Sequence, residues 1–362
     1  MSTALTATPV NTRPSIRIDG QHHMLVDELL QSMTLHEAIG GLASLELTLT
    51  DWVSRPRGPP EFAFGDNKIL KLGSEIKAYA GDINAPQELF RGRISALESE
   101  AVADGPPLIT ILAEDKLQAA RKTRRSETYE QASPADIVRK VAQRHNLTPV
   151  IRSGLDQPTG TWVQMNESDL AFLRKTLSQF DADLQVVGDE LQAGPRAIDA
   201  RGKVELRLHD NLLSVRVTVD LAEQTAELCV SGWNPETGAA AKSVATSGEL
   251  GPGQGRTGAA FVARALDVER RETLGHFGAM SDSEANVMAK AKFGQRARRF
   301  VQARGRAEGN AALRVGTWVK LKRINPLFEG EYAVVEAHHS FDQRTGYITE
   351  FTAESAYFGG SA

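Results

Sequence analysis

Residues 203–220 read KVELRLHDNLLSVRVTVD, and the order of apolar and polar side chains in them decides the class of fold. Val204, Leu206 and Leu208 alternate with Lys203, Glu205, Arg207 and His209; Leu213, Val215, Val217 and Val219 then alternate with Ser214, Arg216, Thr218 and Asp220. Successive side chains of a strand point to opposite faces, so this period of two predicts two strands with one face on a core and one in water. Working outward, the same alternation recurs at Leu45, Leu47 and Leu49, between Glu46, Thr48 and Thr50. Shorter strand-like stretches lie at 76–81, 90–94 and 108–113, and further strands are expected at 315–324, 331–341 and 347–353.

Between these stretches the period lengthens. Ser133-Pro134 supplies an N-cap followed by proline at the first helical position, and Ile137, Val138 and Val141 share one face, so a helix is expected that ends near His145. Asn166 or Ser168 can cap a second helix, in which Leu170, Leu173, Leu177 and Phe180 recur at three- and four-residue spacing. With short strands around Val150 and Gln185 these helices make a small α/β unit. Residues 234–258, rich in Gly, Ala, Ser, Thr and Pro, read as a long surface loop. Ser281 with Glu284 then forms a capping box before a helix carrying Val287, Met288, Ala291 and, less regularly, Phe300. The expected architecture is therefore mainly β with an α/β part: two antiparallel β units, the second split by an insertion, around the α/β unit. No fixed repeat is visible, and periodicity leaves open whether the β units are a diverged duplication.

A chain of 362 residues has room for two to four domains, and 41% hydrophobic with 24% charged residues marks a folded protein rather than a disordered one. No stretch approaches the length of a membrane-spanning helix. A net charge of -4 excludes the overall basic field of a dedicated nucleic-acid binder, and the basic runs 121–125 and 296–306 read as solvated structure at element ends. The lone Cys229, in a strand-like stretch, reads as a buried structural thiol in a chain made in a reducing cytoplasm. The N-terminus MSTALTATPVNTRPS lacks the charged and apolar regions of a secretory signal.

Catalytic motifs are broken where they begin. Gly253–Gly258 matches GxGxxG but follows a loop where a dinucleotide site needs a strand. His36-Glu37 opens like a zinc-protease motif, yet Gly40 stands where the second histidine belongs. The adjacent pairs His22-His23 and His338-His339 point to opposite faces of a strand and cannot jointly hold one metal without help from elsewhere. There is no GxSxG elbow, and the 46 acidic residues nominate no catalytic pair. No cofactor, metal or catalytic residue is expected. The loop Asp51–Phe64 places Trp52, Phe62 and Phe64 beside three prolines, too apolar for a free loop: it folds back on its own β unit or docks on a partner.

Three motifs bring a family into view. Leu89-Phe90-Arg91-Gly92-Arg93-Ile94 looks like an F-x-G-x-I/V turn into a strand, 162–173 (WVQMNESDLAFL, with Glu167, Ser168, Asp169, Phe172 and Leu173) like a Q-x-x-E-S-D-x-x-F-L helix start, and Ser231-Gly232-Trp233-Asn234-Pro235 like a G-W-D/N-P step, after which 313–316 returns to the β unit. In that order they resemble the phage late-control D proteins and the hub region of VgrG, the baseplate-hub family of contractile tails and type VI secretion, along nearly the whole chain. The resemblance implies two tube-like antiparallel β-barrels at 1–120 and at 201–232 with 301–362, a small α/β domain at 121–200, and a loop and helix insertion at 233–300. It implies a structural hub: a homotrimer whose pseudo-sixfold ring adapts a sixfold tail tube to a threefold spike, closed by pairing open sheet edges between chains. A tube or initiator protein would lie above, a separate trimeric spike below, wedge proteins around, and tape-measure protein and DNA would only pass through. The spike is expected to be separate because the sequence ends at Phe358-Gly359-Gly360-Ser361-Ala362. Assembly into a virion tail baseplate, a tailocin or a related contractile particle follows, with no membrane anchor. The rival expectation is a tail-associated enzyme that degrades cell wall or polysaccharide.

Overall fold

The structure, a computed structural model of the chain, describes residues 10–54, 59–82, 85–152, 154–196, 198–265, 270–275, 278, 279 and 281–359. The first β unit contains β1 (Val10–Ile18), β2 (Leu30–Ala38), β3 (Ser44–Thr50), β4 (Glu75–Asp82), β5 (Ala85–Glu100) and β6 (Leu108–Asp115). The second contains β7 (Gly202–Arg207), β8 (Leu212–Val219), β9 (Val301–Glu308), β10 (Thr317–Lys322), β11 (Gly330–Asp342) and β12 (Gly346–Ser355). The alternating residues 203–219 are thus β7 and β8.

The strands of the first unit lie in the order β2-β3-β6-β5-β4-β1 and those of the second in the order β8-β9-β12-β11-β10-β7, which is the same order with each label advanced by six. The registers match as well. A bulge between Leu30 and Ser32 of β2 has its counterpart between Leu212 and Ser214 of β8. A bulge between Ile94 and Ala96 of β5 has its counterpart between Val334 and Glu336 of β11. Each bulge bends its strand and fixes where pairing can continue, so two matched bulges in matched strands mark one topology used twice. The units differ in the direction of one pairing: β1 runs antiparallel to β4, whereas β7 runs parallel to β10.

β11 joins them. Its N-terminal residues pair with β10 and its C-terminal residues with β2 of the first unit, His338 opposite His36 and Ser340 opposite Thr34. With the short strand Gln21–His22 the twelve strands form one 13-stranded, mainly antiparallel sheet. The hydrogen-bonded network branches at β11, which pairs with β12, β10 and β2, and among the described residues it closes into no barrel. One face carries the cores: Ile16, Leu35, Leu47, Ile76 and Ile111 with Phe341 and Tyr347 in the first unit, and Val301, Val319, Leu321 and Phe351 in the second.

The α/β unit holds α1 (Pro134–Arg144) and α2 (Asp169–Gln179) against the sheet formed by Ala182–Val187, Glu190–Pro195 and Thr148–Ile151. Ser133 and Asp136 close a reciprocal capping box on α1, and the Ser168 hydroxyl accepts from the Ala171 amide at the start of α2. The stretch read as a long loop departs from expectation. Ala239–Ala245 is a strand, paired antiparallel with Glu227–Asn234, which in turn pairs parallel with Arg271–Leu274. The helix α3 (Asp282–Arg298) packs on this sheet. Ala241 and Ala245 are the buried residues of the strand, and such small side chains let a helix approach closely while giving no bulky period-two signal to read. For the same reason the buried face of α3 is Ala285, Met288, Ala289 and Phe293, while Val287 is exposed. No helix among the described residues is long and apolar enough to cross a membrane.

Candidate assembly surface

Alternation leaves the face of the sheet opposite the cores open and polar. One row of cross-strand partners crosses nine strands without a break: Ser214, Arg306, Glu350, His338, His36, Ser44, Glu114, Arg93 and Glu75. His36 meets Glu336 at 2.9 Å, Arg306 meets Glu350 at 3.7 Å, and His338 meets Glu350 at 3.9 Å. Pairs this exposed contribute little to stability, and the face is polar as the water-facing side of an antiparallel sheet is. Its charges are mixed: β8 and β9 carry Arg216, Arg304 and Arg306, β3 and β6 carry Glu46 and Glu114, and β5 carries both Arg93 and Glu98.

Among the described residues the unpaired edges of the sheet include two at β8 and β5. Beyond a single bridge at Leu212, β8 pairs only with β9 among the described residues. In β5, pairing with β4 stops at Arg93, and from Ala96 to Glu100 the strand pairs only with β6. Backbone groups along both edges point at solvent.

The aromatic loop divides its side chains between the core and the surface. Phe64 turns into the first core, with its amide held by the Asp51 carboxylate at 2.8 Å. Trp52 and Phe62 remain outside as an exposed edge-to-face pair with ring centroids 5.6 Å apart, and a Val53–Glu61 bridge holds the loop beneath them. Phe64→Ala is expected to lower unfolding free energy by about 3 kcal/mol, and Trp52→Ala or Phe62→Ala by under about 1 kcal/mol, in urea titrations. Equal losses at all three would contradict this division.

The motif residues are structural in their surroundings. Phe90, Gly92 and Ile94 sit inside β5 rather than at a turn. Gly92 is required there because a Cβ would overlap the Glu114 carbonyl oxygen and the Phe90 ring. Asp169, buried at the start of α2, accepts from His145 Nε2 at 2.8 Å, Arg144 at 2.9 Å and Gln164 at 3.0 Å. Burial alone would raise its carboxyl, but the hydrogen bonds from His145, Gln164 and Arg144 outweigh that and hold it well below the usual range. Glu167 reaches Lys175 at 2.5 Å, and Phe172 and Leu173 are core. Gly232 lies against the Ala279 carbonyl, Trp233 is exposed, and Pro235 enters the turn closed by the Gly238 amide on the Asn234 carbonyl.

Three buried polar groups carry no local signature in sequence. Arg298 donates from Nη2 to both Asp181 carboxylate oxygens at 2.5 Å. Glu37 accepts from Arg314 at the junction of the two β units, and although burial pushes its carboxyl up, the guanidinium holds it below the ordinary value. His339 lies beside Tyr347 Oη at 2.9 Å and Thr349 Oγ1 at 3.2 Å. The Arg298–Asp181 and Glu37–Arg314 pairs join elements distant in sequence, so only the assembled fold reveals them, whereas His339 meets the next strand of its own hairpin.

The stretches that open like catalytic motifs stay apart. His36 and Glu37 face opposite sides of β2, and Cys229 is buried. Gly253 and Gly255 adopt φ of +114° and +133° and bring the chain against the C-terminal strand, where Arg256-Thr257 pairs with Tyr357-Phe358. Among the described residues no group of three His, Cys, Asp or Glu side chains is placed to hold a metal.

Residues 11–343 match the family described as the Alg8 N-terminal domain. No curated protein sequence matches. Among solved structures, the fold is similar to a 43 kDa tail protein of prophage MuSo2 from Shewanella oneidensis, with TM-score 0.67 and 12% identity over 95% of this chain and 98% of that one. A tail protein from Neisseria meningitidis gives TM-score 0.68 and 10% identity over 95% and 96% of the two chains. An Escherichia coli component of the type VI secretion system, described as structurally similar to bacteriophage T4 tail proteins, gives 0.60 and 12% over 96% and 79%.

Proposed function

We propose, on the premise that the chain belongs to the Alg8 N-terminal domain family, that it is a structural hub protein of a contractile tail or related injection particle rather than an enzyme. The observation that carries this reading is the duplicated unit. Two copies of one strand order per chain, joined through β11 and β2, are what three chains need to present six similar lobes to a sixfold tube while keeping threefold symmetry for a spike. The tail and type VI proteins that share the fold support the same reading, as does the similarity to late-control D and VgrG hubs in the three motifs. The polar face of the continuous sheet would line the central channel, where solvated side chains pass tape-measure protein and DNA without holding them. The exposed Trp52–Phe62 pair would dock on a neighbouring component, with the spike and tube on opposite sides of the ring.

The test is the solution mass of the purified chain, alone and with a candidate spike protein. Three times the chain's 39.3 kDa is the expected result. A single-chain mass under both conditions would overturn the proposal. Alanine at both Trp52 and Phe62 should preserve that mass and abolish attachment of the neighbouring component; normal particles from the double variant would remove the docking role.

A further inference from the structure

Four arginines meet where the α/β unit comes against the two β units. Arg152 follows the strand Thr148–Ile151, Arg196 follows Glu190–Pro195, Arg201 precedes β7 and Arg298 ends α3, and all four line one cavity of about 30 Å³. Asp183 and Asp199 line it too, but they match the positive charge only in part. Arg298 is spent on Asp181, and Arg196 reaches Glu354 at 3.4 Å. Asp183 accepts from the Gly40 amide at 2.6 Å, and Asp199 is exposed, its backbone carbonyl accepting from Arg152 Nη1 at 3.1 Å. The half-buried Arg201 side chain makes no hydrogen bond and no ion pair among the described residues. Burial lowers its pKa from the ordinary value, Arg152 and Arg314 act the same way, and Asp183 and Glu37 oppose them.

We infer that this cavity binds one small tetrahedral oxyanion of the phosphate class, held by the guanidinium groups of Arg201 and Arg152 with Arg196 beside them. The arginines are fixed in place before any ligand arrives. The Arg152 amide donates to the Ala193 carbonyl at 2.9 Å, the Arg196 amide to Asp181 at 3.0 Å and the Arg201 amide to Gly316 at 2.9 Å, so three different segments anchor them. Two glycines make room for the arginine stems. A Cβ on Gly194 would lie 2.6 Å from Arg152 Cβ, and one on Gly316, whose φ is +84°, would lie 2.8 Å from Arg201 Cδ. With these backbone amides already used, the free donors in the cavity are guanidinium N–H groups, whose planar forks match the oxygens of an oxyanion. The volume exceeds what a single water needs and is far too small for a nucleotide, which selects a free small anion. A neighbouring cleft of about 480 Å³ shares Ile39, Asp183 and Arg196 with the cavity and gives such an ion a way in. Bound there, the anion ties Arg152 of the α/β unit to Arg201 at the entry of the second β unit, and replaces their mutual repulsion with a shared counter-charge.

Inorganic phosphate is the probe, compared with sodium chloride at equal ionic strength so that general screening cancels. Equilibrium dialysis of the full chain against radiolabelled phosphate should give one bound phosphate per chain. Arg201→Met and Arg152→Met should each weaken that binding about tenfold or more, whereas Arg216→Met, at an exposed arginine on β8, should leave it unchanged. Saturating phosphate should also raise the melting temperature of the wild type by about 3 °C relative to chloride. The same melts separate a ligand-binding arginine from a structural one. Arg201→Met removes an unmatched charge, so in chloride it should melt no lower than the wild type, and in phosphate it should melt lower. Arg201→Lys keeps the charge and loses the fork, and it should still bind more weakly than the wild type. No phosphate bound by the wild type, an equal loss of melting temperature by Arg201→Met in both salts, or unweakened binding by Arg201→Met and Arg201→Lys would overturn the site.

Discussion

Arg298→Met is expected to lower unfolding free energy by about 3–5 kcal/mol. The guanidinium is almost fully enclosed in the last turn of α3, with both contacts to the Asp181 carboxylate at 2.5 Å and one to the Glu249 carbonyl at 2.7 Å. Truncation leaves the Asp181 charge buried without its partner, and that uncompensated charge, rather than the lost contact, sets the size of the effect. The second variant separates the two: Arg298→Met with Asp181→Leu removes both charges and should recover most of the loss. Urea titration of the three variants checks it. A single-variant loss under about 1 kcal/mol, or no recovery in the double variant, would contradict the account of how α3 is tied to the α/β unit.

The second large effect is acid sensitivity at the junction of the two β units. His339 is completely enclosed, and burial pushes its pKa down from 6.5 to about 3, with Arg314 and His338 acting in the same direction and Glu37 opposing. The folded chain therefore keeps this ring neutral below pH 6.5 while the unfolded chain protonates it. Stability is fully present above pH 6.5 and falls toward pH 3, by up to about 1.4 kcal/mol for each pH unit. Asp115 acts the other way: burial lifts its pKa from 3.8 to about 6, so the folded state takes up its proton first and gains stability as pH falls through that window. Asp169, held below the usual range, adds loss only at more acid pH. His339→Gln removes the first contribution alone, so the difference between wild type and variant isolates it. The wild type should lose stability between pH 6.5 and 4 relative to the variant; parallel pH profiles would contradict the assignment.

Much of the fold was legible from residue order. The period-two runs in β3, β7 and β8 became strands at those positions, and the caps at Ser133, Ser168 and Ser281 all start helices, because both signals are local. What could not be read depends on partners far along the chain. Ala239–Ala245 is a strand of small residues whose burial comes from α3 some forty residues later, so its composition reads as loop. The duplication was hidden for a related reason. Matched positions such as Thr34 and Arg216, or Glu98 and His338, share a register but not a chemistry, and only the pairings reveal them as equivalent. Phe90 and Gly92 were noticed, but their role needed the cross-strand Glu114 carbonyl to be seen.

The central claim is that two equivalent units per chain generate a six-lobed ring from three chains. Electron-microscope class averages of the purified assembly test it most directly. The account predicts six similar lobes around an open centre, with threefold differences contributed by the α/β unit and the insertion. Compact single particles without a central hole, or a ring whose lobe number is odd, would contradict it.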